Sequence, residues 1–154
     1  VDQDPHFRIT RDVAQKINKV KPALIHNIMI PSLLGPGGKM SASDEKSTIY
    51  TTDSPEQVKK KINKYAFSGG QPDIDEHRKI GGNPDIDVSY QYLRIFFEQD
   101  DAKLKKIYDD YNSGKMLTGE LKAILIEKIN DFLSLHQEKR EEARKNIDAY
   151  MMKD

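Results

Sequence analysis

Ser32-Leu33-Leu34-Gly35-Pro36-Gly37-Gly38-Lys39-Met40-Ser41-Ala42-Ser43 is the stretch on which the reading of this chain turns. Its glycines and proline make the first half a loop, with positive φ open at three positions. That loop delivers Lys39, Met40, Ser41, Ala42 and Ser43. Lysine brings a compact positive charge with three donors, and the serine hydroxyls and nearby backbone N–H groups add neutral donors. Such a set follows charge as it builds on a leaving pyrophosphate, and so stabilises a transition state rather than a ground state. The stretch is not the nucleotide loop G-x-x-x-x-G-K-[ST], because the glycine spacing fails and no helix clearly starts after Lys39. On chemistry alone, a surface loop of common residues fits it equally well.

Outward from the loop the chain divides by composition. On the N-terminal side, Pro22 and Pro31 bound Ala23-Leu24-Ile25-His26-Asn27-Ile28-Met29-Ile30. A short apolar run between breakers predicts a buried strand of the kind found in parallel sheets. Before it, Thr10 is placed to cap a short helix reaching Asn18. On the C-terminal side, Thr48-Ile49-Tyr50-Thr51 reads as a second strand-like piece. From residue 53 onward the pattern is helical. Asp53 or Ser54 caps, Pro55 takes the first helical position and Glu56 the first turn, giving a helix to about Ala66. Further helices are predicted over Ile74–Ile80, from Pro84 to about Glu98, and over Ala102–Tyr111. A long one begins at Thr118 and reaches towards Met151. Leu121, Leu125, Ile129, Phe132 and Leu135 form the apolar stripe of the last. Asp73, Asp75, Glu76, Asp85 and Asp87 lack calcium-loop spacing and read as helix-start carboxylates.

Composition sets outer bounds. The 154 residues are 36 % hydrophobic and 32 % charged, with a formal net charge of zero. An anionic partner must therefore meet a local basic patch, not a global field. Lys59-Lys60-Lys61 with Lys64, and Lys139-Arg140 with Arg144-Lys145, are such patches, although a solvated helix face explains them as well. The absence of cysteine excludes disulfides and thiolate zinc sites and fits a reducing compartment. No apolar run reaches membrane-spanning length. The opening Val1-Asp2-Gln3-Asp4-Pro5, without Met, reads as a cut through a longer chain.

Lys39-Met40-Ser41-Ala42-Ser43 resembles the K-M-S-K-S signature of class I aminoacyl-tRNA synthetases, with Ala42 at its variable lysine. Further blocks follow in the order of the tryptophanyl enzymes of eukaryotic and archaeal type: Asp2-Gln3-Asp4-Pro5-His6-Phe7-Arg8, Thr10-Arg11-Asp12-Val13-Ala14, Lys21-Pro22-Ala23-Leu24, Ala66-Phe67-Ser68-Gly69-Gly70, Gly81-Gly82-Asn83-Pro84-Asp85-Ile86-Asp87-Val88-Ser89-Tyr90 and Met116-Leu117-Thr118-Gly119-Glu120-Leu121-Lys122. The resemblance implies a mainly α chain with a small α/β part. The end of a Rossmann-like nucleotide-binding domain spans residues 1–52, and an all-helical anticodon-binding domain spans 53–154.

The same resemblance implies a function. With ATP and Mg²⁺ the family makes tryptophanyl-adenylate and pyrophosphate, then transfers the acyl group to tRNA-Trp. Lys39 is expected on the ATP phosphates, Ser41 and Ser43 beside it, Met40 on the adenine side and Gln3 at the tryptophan end. Gln3 fits a turn residue beside Pro5 just as well. His77 and Arg78 are candidates for contact with the anticodon. A cytoplasmic homodimer is the family's usual form. None of the four histidines (His6, His26, His77, His136) lies in the H-I-G-H-type signature that class I enzymes also need. The chain alone is therefore expected to be inactive, with activity residing in its parent. Two alternatives are a tyrosyl-tRNA synthetase fragment and a non-catalytic RNA-binding helical module.

Overall fold

Ser54 shows why the helical part starts where it does. Its hydroxyl accepts the Gln57 N–H (3.3 Å), while the Gln57 side chain accepts the Ser54 N–H (2.7 Å). This reciprocal capping box, with Pro55 in the first turn, opens α2 (Pro55–Tyr65). The computed structural model describes residues 3–152. Its other helices are α1 (Asp4–Lys16), α3 (Ile74–Ile80), α4 (Val88–Tyr92), α5 (Asp101–Asn112) and α6 (Thr118–Lys145). A hairpin pairs β1 (Pro31–Ser32) with β2 (Gly35–Lys39). No helix among the described residues is long and apolar enough to cross a membrane. The chain folds as two units, residues 1–30 and 31–154.

In the first unit, helix α1 begins six residues before Thr10. Thr10 lies mid-helix and returns its hydroxyl to the His6 carbonyl (2.9 Å), so it caps nothing. Pro5 supplies the start instead. Asp4 pairs with Arg8 one turn on (2.6 Å) and with His26 (3.5 Å), and the Arg11 guanidinium donates to the Pro22 carbonyl. The strand expected over Ala23–Ile30 does not form. Ile25 is 91 % exposed and Ile28 76 %. A buried strand needs hydrogen-bonded neighbours, and the described residues offer this segment none.

The second unit is mostly helical. Leu121, Leu125, Ile129 and Leu133 of α6 are buried against Val58 and Ile62 of α2 and against Val88 and Leu93. The four-residue spacing follows one helical ridge. For that reason Leu133 is buried where the sequence pointed to Phe132 and Leu135, which stay about half exposed. Phe132 instead meets the ring of Phe97 edge-on, with centroids 5.9 Å apart. The helix expected from Pro84 starts only at Val88, because Asp87 takes the N-cap and accepts the Ser89 and Tyr90 N–H groups. Beyond Tyr92 it widens into a π-turn, Leu93–Phe97, closed by Glu98 N–H on the Leu93 carbonyl (2.9 Å). Helix α6 ends at Lys145, short of Met151, and a 3₁₀ turn at Ile147–Ala149 follows.

The hairpin is docked on this bundle. Fully buried Leu33 sits in its turn. The Leu33 carbonyl accepts the Phe67 N–H (2.8 Å), and the Tyr92 hydroxyl donates to the Pro31 carbonyl (2.8 Å). Of the loop glycines only Gly35 has positive φ, at 134°, and the Phe67 ring lies against the space a Cβ would fill. Gly37 and Gly38 are extended in β2.

Candidate functional site

Lys39 ends β2 and is exposed. From there the chain enters a tight turn through Met40, Ser41, Ala42 and Ser43. The Ser41 and Ser43 hydroxyls are hydrogen-bonded to each other (2.9 Å), which sets them side by side on the turn. The turn is stapled from within by Ser47, which is 3 % exposed. Its hydroxyl oxygen accepts the Ser41 N–H (3.2 Å) and lies 3.1 Å from the Ser41 carbonyl and 2.8 Å from that of Asp44. The Ser47 carbonyl accepts the Leu33 N–H (2.9 Å), tying the turn back to the hairpin.

A second attachment comes from residues 48–53. The strand expected at Thr48–Thr51 does not form; residues 48–50 are irregular and lead into a turn at Thr51–Thr52, closed by Asp53 N–H on the Tyr50 carbonyl (3.0 Å). One Asp53 oxygen accepts the Tyr50 N–H (2.8 Å) and the Lys61 ammonium (2.7 Å). Asp53 and Lys61 are both largely buried, their side chains 5 % and 12 % exposed. The ammonium also lies 4.1 Å from the centre of the Tyr50 ring, a cation–π distance. The Tyr50 hydroxyl donates to the Ala42 carbonyl (2.8 Å). From α6, the Gln137 amide donates to the Thr51 and Asp53 carbonyls (3.0 and 3.1 Å).

The structure thus gathers Lys39, Met40, Ser41 and Ser43 on one stapled turn in the second unit. Gln3 lies in the first unit. Its carbonyl accepts the His6 and Phe7 N–H groups at the start of α1, and it lines a cavity of about 320 Å³ with Asp4, Phe7 and residues 23–27. Asp2, from the same block, lies outside the described residues.

Sequence reasoning did not find Ser47, Tyr50, Asp53 and Lys61. By sequence Lys61 belongs to the basic face of α2, but it points into the pair with Asp53; Lys59, Lys60 and Lys64 are exposed. Asp53 left one signal, a carboxylate next to a helix start that Ser54 already caps.

Of the two candidates for anticodon contact, His77 is buried and Arg78 is exposed. His77 is 3 % exposed. Its Nδ1 accepts the Gln71 N–H (3.4 Å), which leaves the ring proton on Nε2, facing the Met116 carbonyl (2.9 Å). The Arg78 guanidinium donates to the Gly114 and Lys115 carbonyls. Both hold the α5–α6 connection in place. Asp73 accepts the Glu76 N–H (2.8 Å) and caps α3, as a helix-start carboxylate should.

Beneath them lies a buried polar cluster. Asp87, fully buried, accepts the Gly69 N–H (2.9 Å), the Ser89 N–H (2.8 Å) and the Tyr111 hydroxyl (2.8 Å). Burial, reinforced by the Asp87 charge, pushes the Tyr111 phenol up to about 12, so it keeps its proton and remains a donor at neutral pH.

Comparison with known proteins agrees over nearly the whole chain. The model of the family described as tRNA synthetases class I (W and Y) matches residues 1–134. The tryptophan–tRNA ligase of Sulfurisphaera tokodaii is 59 % identical over 150 residues, which cover 97 % of this chain and 39 % of that protein. The cytoplasmic tryptophan–tRNA ligase of Saccharomyces cerevisiae is 52 % identical over 153 residues, covering 99 % and 35 %. Among solved structures, the tryptophanyl-tRNA synthetase of Aeropyrum pernix superposes with a TM-score of 0.86 at 38 % identity, covering 94 % of this chain and 40 % of its own. The tyrosyl-tRNA synthetase of Aeropyrum pernix gives 0.68 at 24 % identity, over 87 % and 40 %, and shares the fold alone. The chain therefore spans 35–40 % of the length of these relatives.

Proposed function

The chain belongs to the class I tRNA synthetases of the tryptophan and tyrosine group, and on that premise we propose that it is the C-terminal part of a tryptophan–tRNA ligase. The observation that carries this reading is the 59 % identity to a tryptophan–tRNA ligase along 97 % of the chain. The tyrosyl alternative is less supported, because the tyrosyl-tRNA synthetase of Aeropyrum pernix is 24 % identical and shares the fold alone.

In this reading the parent enzyme joins tryptophan to ATP, releases pyrophosphate and passes the tryptophanyl group to tRNA-Trp. The work of residues 39–43 is positioning and charge stabilisation. Lys39 places its ammonium on the phosphates. Ser41 and Ser43, their hydroxyls 2.9 Å apart, donate to the same oxygens, while the Ser41 N–H stays on Ser47. Met40, half-buried, borders the adenine, and Gln3 meets tryptophan. A lysine and two hydroxyls within five residues suit a polyphosphate. Mg²⁺ would come with ATP and supply counter-charge to its phosphates. Residues 1–52 complete a Rossmann-like catalytic domain and 53–154 form the anticodon-binding domain. The parent is a homodimer in the cytoplasm, a location carried by the name of the yeast relative.

The helical half offers exposed basic residues for RNA phosphates at Lys59, Lys60 and Lys64 and at Lys139, Arg140, Arg144 and Lys145. Titration of this chain with a tRNA-Trp transcript, against one with an altered anticodon at the same salt, tests that half. The native anticodon is expected to bind at least about fivefold more tightly, the worth of one lost hydrogen bond. Equal affinity for both transcripts would remove anticodon reading from this chain.

A further inference from the structure

We propose that Tyr50 is a positioning residue for the Lys39–Ser43 turn, and that the Asp53–Lys61 pair holds Tyr50 in that task; the proposal rests on the ATP-binding reading of the turn.

The geometry carries it. Tyr50 is gripped at three places. Its N–H is bound by Asp53 (2.8 Å), its ring lies under the Lys61 ammonium (4.1 Å), and its hydroxyl reaches the Ala42 carbonyl (2.8 Å). Ala42 is the residue between the two serines expected to meet the phosphates. It is exposed, and its carbonyl accepts from a side chain eight residues away. Ser47 staples the inner side of the turn, and Tyr50 holds its outer side. Asp53 cannot swing away easily. It is buried, its carbonyl is held by Gln137 from α6 (3.1 Å) and its carboxylate by Lys61 (2.7 Å). The arrangement explains why a lysine in the basic run of α2 is turned inward and spent on a carboxylate, although its neighbours Lys59 and Lys60 face solvent.

The consequence is preorganisation. Two hydroxyls and an ammonium stabilise developing charge only if they are already aimed when it appears. Small misplacements of a positioning group are costly in rate. Tyr50→Phe removes the outer attachment alone, because the ring remains beneath Lys61.

Two measurements test this. In the complete parent enzyme, Tyr50→Phe is expected to lower kcat for tryptophan-dependent ATP–pyrophosphate exchange about fivefold, the worth of one exposed hydrogen bond, with the KM for tryptophan unchanged. Lys61→Met, which frees both Asp53 and the Tyr50 ring, is expected to lower it further. In the 154-residue chain, hydrogen exchange at the Ser41, Asp44 and Ser47 amides is expected to quicken in Tyr50→Phe while amides inside α2 keep their protection. Unchanged kcat and unchanged exchange at those amides would overturn the proposal and leave the function standing. A wild-type enzyme with no tryptophan-dependent exchange would overturn the functional reading, and this inference with it.

Discussion

Lys39→Ala in the complete parent enzyme is expected to lower tryptophan-dependent ATP–pyrophosphate exchange by about 10²- to 10³-fold, the usual loss when one preorganised stabiliser of transition-state charge is removed. The fall should lie mainly in kcat, because charge on the leaving pyrophosphate grows only as the bond to the α-phosphate breaks. Lys39→Arg should recover only part of the activity, since a planar guanidinium does not reproduce the compact ammonium. The KM for tryptophan should not move. A variant that keeps wild-type kcat and loses only affinity for ATP would assign Lys39 to ground-state binding.

Asp87→Ala is expected to destabilise the chain by roughly 3 kcal/mol or more, because each buried N–H left without its acceptor costs about 1–3 kcal/mol. Asp87 has no exposed surface and accepts from Gly69, Ser89 and Tyr111 at 2.8–2.9 Å. Truncation strands the Gly69, Ser89 and Tyr90 N–H groups away from water. Tyr111 fares better, because the Thr118 and Ser68 hydroxyls lie 3.1 and 3.3 Å from its own. It also cannot relieve the cluster by ionising near neutral pH. Thermal unfolding followed by circular dichroism should show a Tm lower by roughly 10 °C. A shift within about 2 °C would mean that water reaches the cluster. The cluster joins the segment at Gly69, the cap of α4, α5 and the first turn of α6, so its loss should unfold the helical unit cooperatively.

The sequence made the helices legible where the signal was local. Ile74–Ile80 appears as read, and Pro55 opens α2 because Ser54, Pro55 and Gln57 carry their capping chemistry within four residues. It misled where a neighbour decides. The apolar run Ala23–Ile30 has strand composition, but pairing needs a partner that its own residues cannot supply. Val88 begins α4 because Asp87 is turned towards Gly69, eighteen residues away, a contact that no spacing rule contains. At the site, Lys39, Ser41 and Ser43 were readable as a donor set in one short motif. Ser47, Tyr50, Asp53 and Lys61 were not, because each acts through a bond to backbone or to a residue on another element. His77 looked like a reader of bases by residue type and proved to be a buried strut.

Whether this chain completes a tryptophan–tRNA ligase is decided by pyrophosphate exchange in the complete parent enzyme with tryptophan or tyrosine as the amino acid. ATP–pyrophosphate exchange is expected to depend on tryptophan and on Lys39, with tyrosine supporting little of it. Exchange driven by tyrosine rather than tryptophan would overturn the assignment.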